Sequence, residues 1–504
     1  MKDMEEKVLS IIEAHEKSGD VYQTRAGIIA RVQGRCPEIT SDEISLILAN
    51  LSQSGNLVHI GDEYAITDTR YAEDQAAKLT AELIQHNDPP SEIDVAAAMA
   101  LAEEGLGFTL SSGQFAAIRG AMTHRASIIT GGPGTGKTTV LRALCDAFEA
   151  YSAESILLLA PTGKAARRLS EQTGRPAMTV HSLLHSFGRE NANLGTGLMV
   201  IDEASMLSIP LFFEVLKALP CEMRLVLVGD PNQLPAVGPG QVLQDLLTSG
   251  LPVYRLTKNY RQGEHSVIRD NLSLILSGCS KLHYDHDNFL LLETNSVQDT
   301  EYLALSVFLA LRAEHGNQVQ MLTPVGPAGG VCSARRFNEL AQAHINPKAS
   351  DKLEVVIDRT TYRLGDRVIQ TQNNGSARNG DVGTIVGIVG DSSITVQIKF
   401  DFAEDDVICY PLKELEGGLI QLAYALTIHK AQGSEYDYVV IPLAEEHVFS
   451  WSCNMVYTAI SRAKKRIVLV GSRWLLDHAI HTPLPPCRSE LASKIRRYLA
   501  APAA

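Results

Sequence analysis

A glycine-rich segment that contains a lysine and a threonine has the residue types of a phosphate site. Residues 131–138 read GGPGTGKT, follow the apolar pair 128–129 and lead into a helical pattern from Val140. Glycines in such a strand-to-helix turn let backbone N–H groups surround phosphate oxygens at the positive end of the helix. Lys137 can then reach the β- and γ-phosphates, and the Thr138 hydroxyl can ligate Mg²⁺. The segment therefore predicts a binding site for a nucleoside triphosphate.

Two adjacent carboxylates end another apolar run. Asp202 and Glu203 directly follow the apolar residues 199–201. Side chains at the carboxyl end of a parallel strand emerge beside the phosphate-binding loop. Asp202 can hold Mg²⁺ through water or together with Thr138, and Glu203 can take a proton from the attacking water. The pair predicts that the site hydrolyses its nucleotide.

Three further side chains are candidates for contact with the γ-phosphate. Gln233 lies in a loop after the apolar residues 225–228 and can sense the γ-phosphate from the neighbouring strand. Arg261 and Arg462 lie in a later α/β segment, and guanidinium groups stabilise the charge that spreads over the phosphate during hydrolysis. Their location in another domain would make hydrolysis depend on domain closure. The alternative for each arginine is a solvated or salt-bridged surface side chain.

Hydrophobic patterns divide the 504 residues into several units. Residues 1–70 combine amphipathic helices with a strand–turn–strand pattern, which is typical of a winged-helix unit. Thr40 with Glu43 forms a capping-box pattern that marks the start of its third helix. Such units bind DNA or mediate protein contacts, and the fold alone does not decide between these roles.

Two later segments have the continuous apolar runs of parallel strands that are buried on both faces. The predicted strands are 127–130, 156–160, 198–201 and 225–228 in the first segment, and 319–322, 421–425, 438–441 and 466–470 in the second. Apolar and polar residues alternate over 394–400, which indicates a small inserted β-barrel. The expected units are a winged-helix-like domain (1–70), a helical connector (71–106), a first α/β domain (107–256), a second α/β domain (257–346 and 419–480), the inserted barrel (347–418) and a C-terminal tail (481–504).

Composition narrows the class of protein. The net charge of −13, from 45 basic and 58 acidic side chains, argues mildly against a protein coated in nucleic acid but permits a narrow basic channel. The eight cysteines are scattered singly, which predicts a reducing, cytoplasmic location and no structural zinc. We expect no membrane contact, because no apolar run approaches the ~18 residues of a membrane span.

The ordered set of motifs resembles superfamily 1 helicases, and most of all the RecD-like branch. The residues that carry the resemblance are LSSGQ (110–114), APTGKAA (160–166), TVHSLL (179–184), DEASM (202–206), GDPNQLP (229–235), NYRQ (259–262), GDRV (365–368), NGDVG (379–383), ALTIHKAQGSE (425–435) and YTAISRA (457–463). The implied fold class is α/β, with two RecA-like P-loop domains, an inserted SH3-like β-barrel and an N-terminal winged-helix-like domain.

The resemblance also implies residue roles, with ATP and Mg²⁺ as the nucleotide and metal. Gln114 would read the adenine edge, a task that suits the paired donor and acceptor of an amide. The remaining nucleotide contacts would be Gly132, Gly134, Thr135, Gly136, Lys137, Thr138, Thr139, Gly433 and Glu435. The single-strand track would be lined by Pro161, Thr162, Lys164 and His181 in the first domain and by Thr427, His429 and Lys430 in the second. Backbone amides, hydroxyls and a few cations suit phosphate oxygens and do not read bases.

The implied activity is ATP-dependent movement along single-stranded DNA, 5′ to 3′, with unwinding of duplex DNA in repair, recombination or replication. Its partners would be single-stranded DNA, single-strand/duplex junctions and a protein bound through residues 1–70. One departure is that only residues 186–196 are available for the hairpin pin with which relatives split the duplex. Ser461 and Ala431 also stand where relatives often have Thr and Ser.

Three alternatives remain open at this stage. The first is an RNA-directed helicase of the same superfamily, because contact with the backbone tolerates either sugar. The second is an ATP-switched protein that binds DNA ends or a partner through residues 1–70. The third is a subunit of a repair or defence complex whose nuclease lies on another chain.

Overall fold

Two parallel β-sheets and one antiparallel sheet organise most of the chain. The computed structural model describes residues 2–85, 92–187, 197–220, 222–258, 266–326, 330–350, 352–374, 377–390, 394–402 and 406–500. Arg261 and its motif, 259–262, lie outside the described residues, as does the part of the predicted pin region from 188 to 196.

The N-terminal unit has the predicted helices and strand–turn–strand. Its elements are α1 (Lys2–Glu16), β1 (Gln23–Thr24), α2 (Arg25–Arg35), α3 (Ser41–Gln53), β2 (Leu57–Ile60) and β3 (Glu63–Ile66). The strands form an antiparallel sheet in the order β1-β3-β2. The capping box is confirmed: Thr40 Oγ1 accepts a hydrogen bond from the Glu43 N–H at 3.3 Å, and Glu43 Oε2 accepts one from the Thr40 N–H at 2.8 Å.

Two helices, α4 (Thr67–Gln85) and α5 (Glu92–Leu106), connect this unit to the first parallel sheet. The elements that follow are α6 (Ser112–Thr123), β4 (Ala126–Gly131), α7 (Lys137–Tyr151), β5 (Ser155–Ala160), α8 (Gly163–Thr173), β6 (Ala177–Thr179), α9 (Val180–Phe187), β7 (Gly197–Ile201), α10 (Ile209–Ala218), β8 (Arg224–Gly229), α11 (Val242–Leu246) and β9 (Val253–Leu256). All strands are parallel, in the order β6-β5-β7-β8-β4-β9. The loops that follow β4, β7 and β8 therefore lie side by side at one edge of the sheet.

The second α/β unit begins with α12 (Val267–Leu276), β10 (Phe289–Glu293), α13 (Val297–His315), β11 (Val319–Thr323) and α14 (Ala334–Ile345). The insert then contributes β12 (Glu354–Ile357), β13 (Thr360–Arg363), β14 (Arg367–Gln370), β15 (Val382–Val389), β16 (Thr395–Phe400), β17 (Val407–Pro411), α15 (Leu412–Leu415) and β18 (Ile420–Leu422). Strands β14 to β18 form an antiparallel sheet in the order β17-β16-β15-β14-β18, and β12 pairs with β13 as a separate hairpin.

The second unit resumes with β19 (Ala425–Thr427), β20 (Tyr436–Leu443), α16 (Cys453–Ile460), β21 (Ala463–Gly471) and α17 (Arg473–His481). Its sheet is parallel, in the order β10-β21-β20-β11-β19. The prediction of a single strand over 421–425 is wrong. Strand β18 pairs antiparallel with β14 of the insert, whereas β19 pairs parallel with β11. An apolar run does not reveal where the chain crosses from one sheet to another.

The segment that the sequence marks only as a tail contains a helix, α18 (Leu491–Ala500). This helix packs against α4, where Lys494 Nζ donates to Glu73 Oε2 at 2.6 Å. The Tyr22 hydroxyl donates to the same carboxylate oxygen at 2.5 Å. Glu73 is 0% exposed and Lys494 4%, so this ion pair is buried. Removal of Lys494 would leave the fully buried Glu73 carboxylate without its cation, which is strongly destabilising.

Candidate nucleotide cleft and nucleic-acid track

The predicted phosphate-binding loop joins β4 to α7. Gly134 and Gly136 have φ angles of +76° and +83°, which side chains other than glycine rarely adopt, and Gly136 is the N-cap of α7. Lys137 Nζ lies over the loop and donates to the carbonyl oxygens of Gly131 at 2.5 Å and Gly132 at 3.0 Å. The lysine is therefore already held at the loop that would receive phosphate.

A cavity of about 290 Å³ opens above this loop between the two α/β units. That volume is close to the lower end of the ~300–1,000 Å³ typical of small-molecule sites. The cavity brings together twelve of the predicted residues: Gly132, Gly134, Gly136, Lys137, Thr138, Thr139, Asp202, Glu203, Gln233, Gly433, Glu435 and Arg462. Pro133, Ala165, Arg168, Gln172 and Ser461 also line it.

The carboxylate pair lies at the end of β7 in a strained backbone. Glu203 has a φ of +52°, and its N–H donates to Asp202 Oδ1 at 2.9 Å. A non-glycine residue in this region of backbone conformation is held there by its surroundings, and such residues cluster at functional sites. Burial and the neighbouring Glu203 charge raise the pKa of Asp202. A cation next to Asp202 would relieve this raised pKa, so the local electrostatics fit a metal ligand.

Two other polar side chains in the cleft are nearly inaccessible to solvent. Gln233 is 6% exposed, and its buried Oε1 has no hydrogen-bond partner among the described residues. Arg462 is 3% exposed and donates to neutral oxygens: Nε to the Thr458 carbonyl at 3.1 Å, and Nη2 to Ser461 Oγ at 2.8 Å. A buried guanidinium with neutral partners keeps a charge that an anionic ligand can compensate.

Hydrogen bonds join the loop after β8 to the second α/β unit. The Tyr457 hydroxyl donates to Asp230 Oδ2 at 2.8 Å, and Thr458 Oγ1 accepts from the Leu234 N–H at 2.9 Å. Gln432 Nε2 donates to the Leu234 carbonyl oxygen at 2.8 Å. These buried contacts place Arg462 next to the phosphate-binding loop. A Cβ atom added at Gly132 would lie only 3.1 Å from the Tyr457 hydroxyl oxygen.

Sequence reasoning did not identify Arg168. Its Nη2 lies 2.7 Å from Glu435 Oε1, so it forms an ion pair across the cleft between the two α/β units. Ala165, Arg168 and Gln172 are spaced i, i+3 and i+7 along α8, and all three line the cavity. Residues at this spacing share one face of a helix. The helical periodicity of α8 was therefore the sequence signal that could have identified Arg168.

Gln114 and Thr135 were predicted to contact the nucleotide but do not line this cavity. Gln114 is at the N3 position of α6, and its Oε1 accepts a hydrogen bond from the Ser111 N–H at 3.0 Å in a capping box. Thr135 Oγ1 donates to the Gly132 carbonyl oxygen at 2.9 Å. Both side chains therefore stabilise local backbone in this structure.

The predicted track residues of the first unit lie at the start of α8 and on α9. Pro161 precedes Thr162, whose side chain caps α8 by accepting from the Ala165 N–H at 3.3 Å. Lys164 Nζ lies 5.3 Å from the centre of the Tyr436 ring, a cation–π distance. His181 is exposed on α9.

The predicted track residues of the second unit follow β19. Thr427 Oγ1 accepts from the Lys430 N–H at 3.3 Å, and Lys430 Nζ donates to Gln421 Oε1. Burial lowers the pKa of His429, so its imidazole is neutral at pH 7. Thr427 and Lys430 line a second cavity of about 330 Å³, which Lys164 does not line. The seven track candidates therefore do not share one cavity.

The described parts of the chain contain neither a cluster of metal-binding side chains nor a helix suited to a membrane. No group of three or more His, Cys, Asp or Glu side chains there has an arrangement that could hold a metal ion. A Mg²⁺ ion bound by one hydroxyl, one carboxylate and nucleotide phosphates requires no such group. None of the helices there combines the length and apolar character needed to cross a membrane.

Comparison with known families gives three matches along the chain. Residues 109–290 match a family model described as "AAA domain", residues 337–400 match "ATP-dependent RecD-like DNA helicase SH3 domain", and residues 422–470 match "UvrD-like helicase C-terminal domain". These matches confirm the predicted combination of a P-loop α/β fold with an SH3-like insert.

Curated relatives show the same likeness. The ATP-dependent RecD2 DNA helicase of Deinococcus radiodurans is 37% identical over 360 residues, which are 69% of this chain and 47% of that protein. The RecBCD enzyme subunit RecD of Mycolicibacterium smegmatis is 29% identical over 413 residues, which are 71% of this chain and 70% of that protein. The chain thus spans about half the length of the RecD2 relative.

Solved structures that are similar to this chain include a Pif1 helicase from Bacteroides in complex with ADP-AlF3 and single-stranded DNA. It has a TM-score of 0.47 and 18% sequence identity, and the match covers 75% of this chain and 95% of that chain. A Pif1 helicase from Candida albicans has a TM-score of 0.45 and 17% identity, with 73% of this chain and 97% of that chain covered.

Proposed function

Because the chain belongs to the RecD-like helicases, we propose that it hydrolyses ATP to move along single-stranded DNA and to separate the strands of a duplex. The observation that carries the proposal is the meeting of groups from both α/β units in one cavity. The first unit supplies Lys137, Glu203 and Gln233, and the second supplies Glu435 and Arg462. Hydrolysis in such a cleft can change how the two units sit on a bound strand.

Each cleft residue has a role that its position supports. Lys137 would neutralise the β- and γ-phosphates, and Glu203 would accept a proton from the attacking water. Gln233, whose buried amide oxygen has no hydrogen-bond partner in the described parts of the chain, would orient that water or the γ-phosphate. Thr138 and Asp202 would hold Mg²⁺, whose chemistry here is to neutralise charge on the phosphate oxygens.

Arg462 would stabilise the charge that develops on the γ-phosphate. It belongs to the second unit and lines the cavity above the phosphate-binding loop of the first, so its action would couple hydrolysis to the relative position of the units. The same role for Arg261 remains a prediction. The nucleotide contact predicted for Gln114 likewise remains a prediction, since its amide oxygen is engaged with Ser111.

A bound DNA strand would lie against groups on both units that contact its sugar–phosphate backbone. Thr162 and Lys164 lie at the start of α8, and Thr427 and Lys430 follow β19. A Cβ atom at Gly433 would lie 3.7 Å from Thr162 Oγ1, so the segment after β19 reaches the start of α8. Pro161, His181 and His429 would complete the track. If the two units bound the strand tightly in turn during the ATP cycle, the protein would move along it. The family resemblance implies that this movement runs 5′ to 3′.

We assign the units of the chain according to the predicted division. The two α/β units (107–256, and 257–346 with 419–480) would form the motor, and the barrel (347–418) would contribute to the strand track. The protein would act in the cytoplasm, on single-stranded DNA and single-strand/duplex junctions.

The N-terminal unit would bind a protein partner. Helix α3, SDEISLILANLSQ, has no lysine or arginine, and Asp42 and Glu43 occupy its first turn. Leu46, on its outer face, is 57% exposed. An acidic helix with an exposed apolar side chain suits a protein surface better than a phosphate backbone.

Strand displacement with tailed duplexes tests the proposed function. Purified chain is given ATP and duplexes with a 5′ tail, a 3′ tail or no tail, with DNA or RNA in the tail. We expect displacement from the 5′-tailed DNA substrate and no displacement by Lys137→Ala. Preference for RNA tails would favour an RNA-directed enzyme. If the chain showed neither displacement nor translocation but still bound a partner in response to ATP, it would be a nucleotide switch and not a motor.

A further inference from the structure

An ion pair bridges the nucleotide cleft at the face of α8. Arg168, in the first α/β unit, and Glu435, in the second, are 267 positions apart and lie 2.7 Å from each other. Both line the cavity that contains Lys137 and Glu203. The Glu435 side chain is 12% exposed and that of Arg168 27%, so the pair is partly shielded from solvent.

Charged groups of both units surround this pair. Asp202 and Glu203 interact electrostatically with Arg168 and add to the attraction from Glu435. Burial by itself lowers the pKa of Arg168, but the Glu435 carboxylate raises it overall. Lys464 Nζ lies 3.8 Å from Glu435 Oε2, so Glu435 is held by one cation from each unit.

The position of Arg168 on α8 also links the cleft to the predicted strand track. The same helix begins directly after Thr162 and carries Lys164, whose ammonium group lies over Tyr436 of the second unit. Residue 168 is about one helical turn beyond residue 164. A movement of α8 that follows strand binding would therefore displace Arg168 and change its contact with Glu435.

We propose that Arg168 is a positioning residue of the nucleotide site: by holding Glu435 across the cavity, it fixes how closely the second α/β unit covers the phosphate-binding loop. The inference rests on the proposed ATP hydrolysis at this cleft. Arg168 acts on the nucleotide through Glu435 and does not serve as a γ-phosphate ligand. Arg168 therefore strengthens the binding of ADP and of ATP equally, whereas Arg462 stabilises the transition state for γ-phosphate transfer.

A double-mutant cycle on the full chain tests this inference. Arg168→Gln, Glu435→Gln and the double variant are compared with wild type for binding of fluorescently labelled ADP with Mg²⁺, without DNA. We expect Arg168→Gln to weaken ADP binding about tenfold in the wild-type background. In the Glu435→Gln background, the same substitution has no further effect, because the partner through which Arg168 acts has been removed.

Steady-state kinetics provide a second readout. Arg168→Gln is expected to raise KM for ATP by the same factor as the ADP dissociation constant and to leave kcat within about threefold. Arg168→Lys retains the charge and is expected to recover most of the affinity, which a role in helix packing would not predict. Arg142→Gln removes an exposed arginine from α7 of the same unit and is the control for loss of charge.

Two outcomes would overturn the inference. An equal loss of ADP affinity from Arg168→Gln in both backgrounds would mean that Arg168 contacts the nucleotide directly. A fall in kcat with unchanged ADP affinity would make it a second γ-phosphate arginine. If Lys137→Ala also left nucleotide binding and turnover unchanged, the proposed function itself would fail, so the two failures are distinguishable.

Discussion

The candidate nucleotide cleft and the proposed strand track use the edges of the same two sheets, but they bury their polar groups to different extents. In the cleft, Arg462 and Gln233 are almost fully buried, and Glu203 is held in a left-handed backbone conformation. Along the proposed track, Lys430 and His181 are exposed, whereas His429 is partly buried. A small ligand benefits from rigid, preorganised groups, whereas a strand that must slide requires shallow contacts with its backbone. Substitutions in the cleft should therefore have large effects, and those in the track should have small ones.

The largest effect is expected from Lys137→Ala. The substitution removes the cation that the loop carbonyls of Gly131 and Gly132 hold in place. We expect kcat/KM for ATP to fall about a thousandfold, because both phosphate binding and transition-state stabilisation lose this charge. Steady-state ATPase assays measure the loss. Lys217→Ala, at an exposed lysine of α10, is the control. Turnover at the wild-type rate would show that the cleft is not the site of hydrolysis.

Glu203→Gln separates chemistry from binding within the cleft. The amide keeps the size of the side chain but cannot accept the proton from water, so we expect kcat to fall about a hundredfold. ATP affinity should remain close to wild type, which equilibrium binding of labelled ATP will measure. Glu171→Gln, at an exposed position of α8, serves as the matched control. Loss of nucleotide binding would instead assign Glu203 to the structure of the loop.

What could be predicted from the sequence depended on whether a feature is set by a local pattern or by a distant partner. The phosphate-binding loop and its neighbouring strands follow local patterns, a glycine-rich turn and continuous apolar runs. The structure confirms these strands as β4, β5, β7 and β8. Most of the residues that line the cavity were among those predicted, because they belong to short motifs at the ends of strands.

Features that depend on distant pairing could not be predicted in the same way. Arg168 depends on Glu435, which lies 267 positions later in the chain. The division of residues 421–425 between two sheets depends on their partners in β14 and β11. In each case, the residue type was visible but its partner was not.

In the track, Lys430→Gln is expected to have a moderate effect. Lys430 is exposed beside Thr427, and each cation that contacts a single strand contributes about 0.7 to the slope of log affinity against log salt. We expect the affinity for single-stranded DNA to fall about fivefold at low salt and this slope to decrease by about that amount. Fluorescence anisotropy across a salt series measures both quantities. Lys281→Gln, at an exposed lysine outside both cavities, controls for net charge. An unchanged slope would remove Lys430 from the track.

The smallest effect is expected from His429→Gln. This variant tests whether His429 contacts the strand as a cation, in addition to Lys164 and Lys430. Burial lowers the pKa of His429 below its ordinary value of 6.5, so the imidazole is neutral at pH 7 and becomes charged only under more acidic conditions. The substitution should therefore reduce strand affinity by no more than about threefold, the equivalent of one neutral hydrogen bond. The salt slope at pH 7.5 should not change. A slope that falls as it does in Lys430→Gln would show that His429 binds as a cation, because strand phosphates can favour the protonated imidazole.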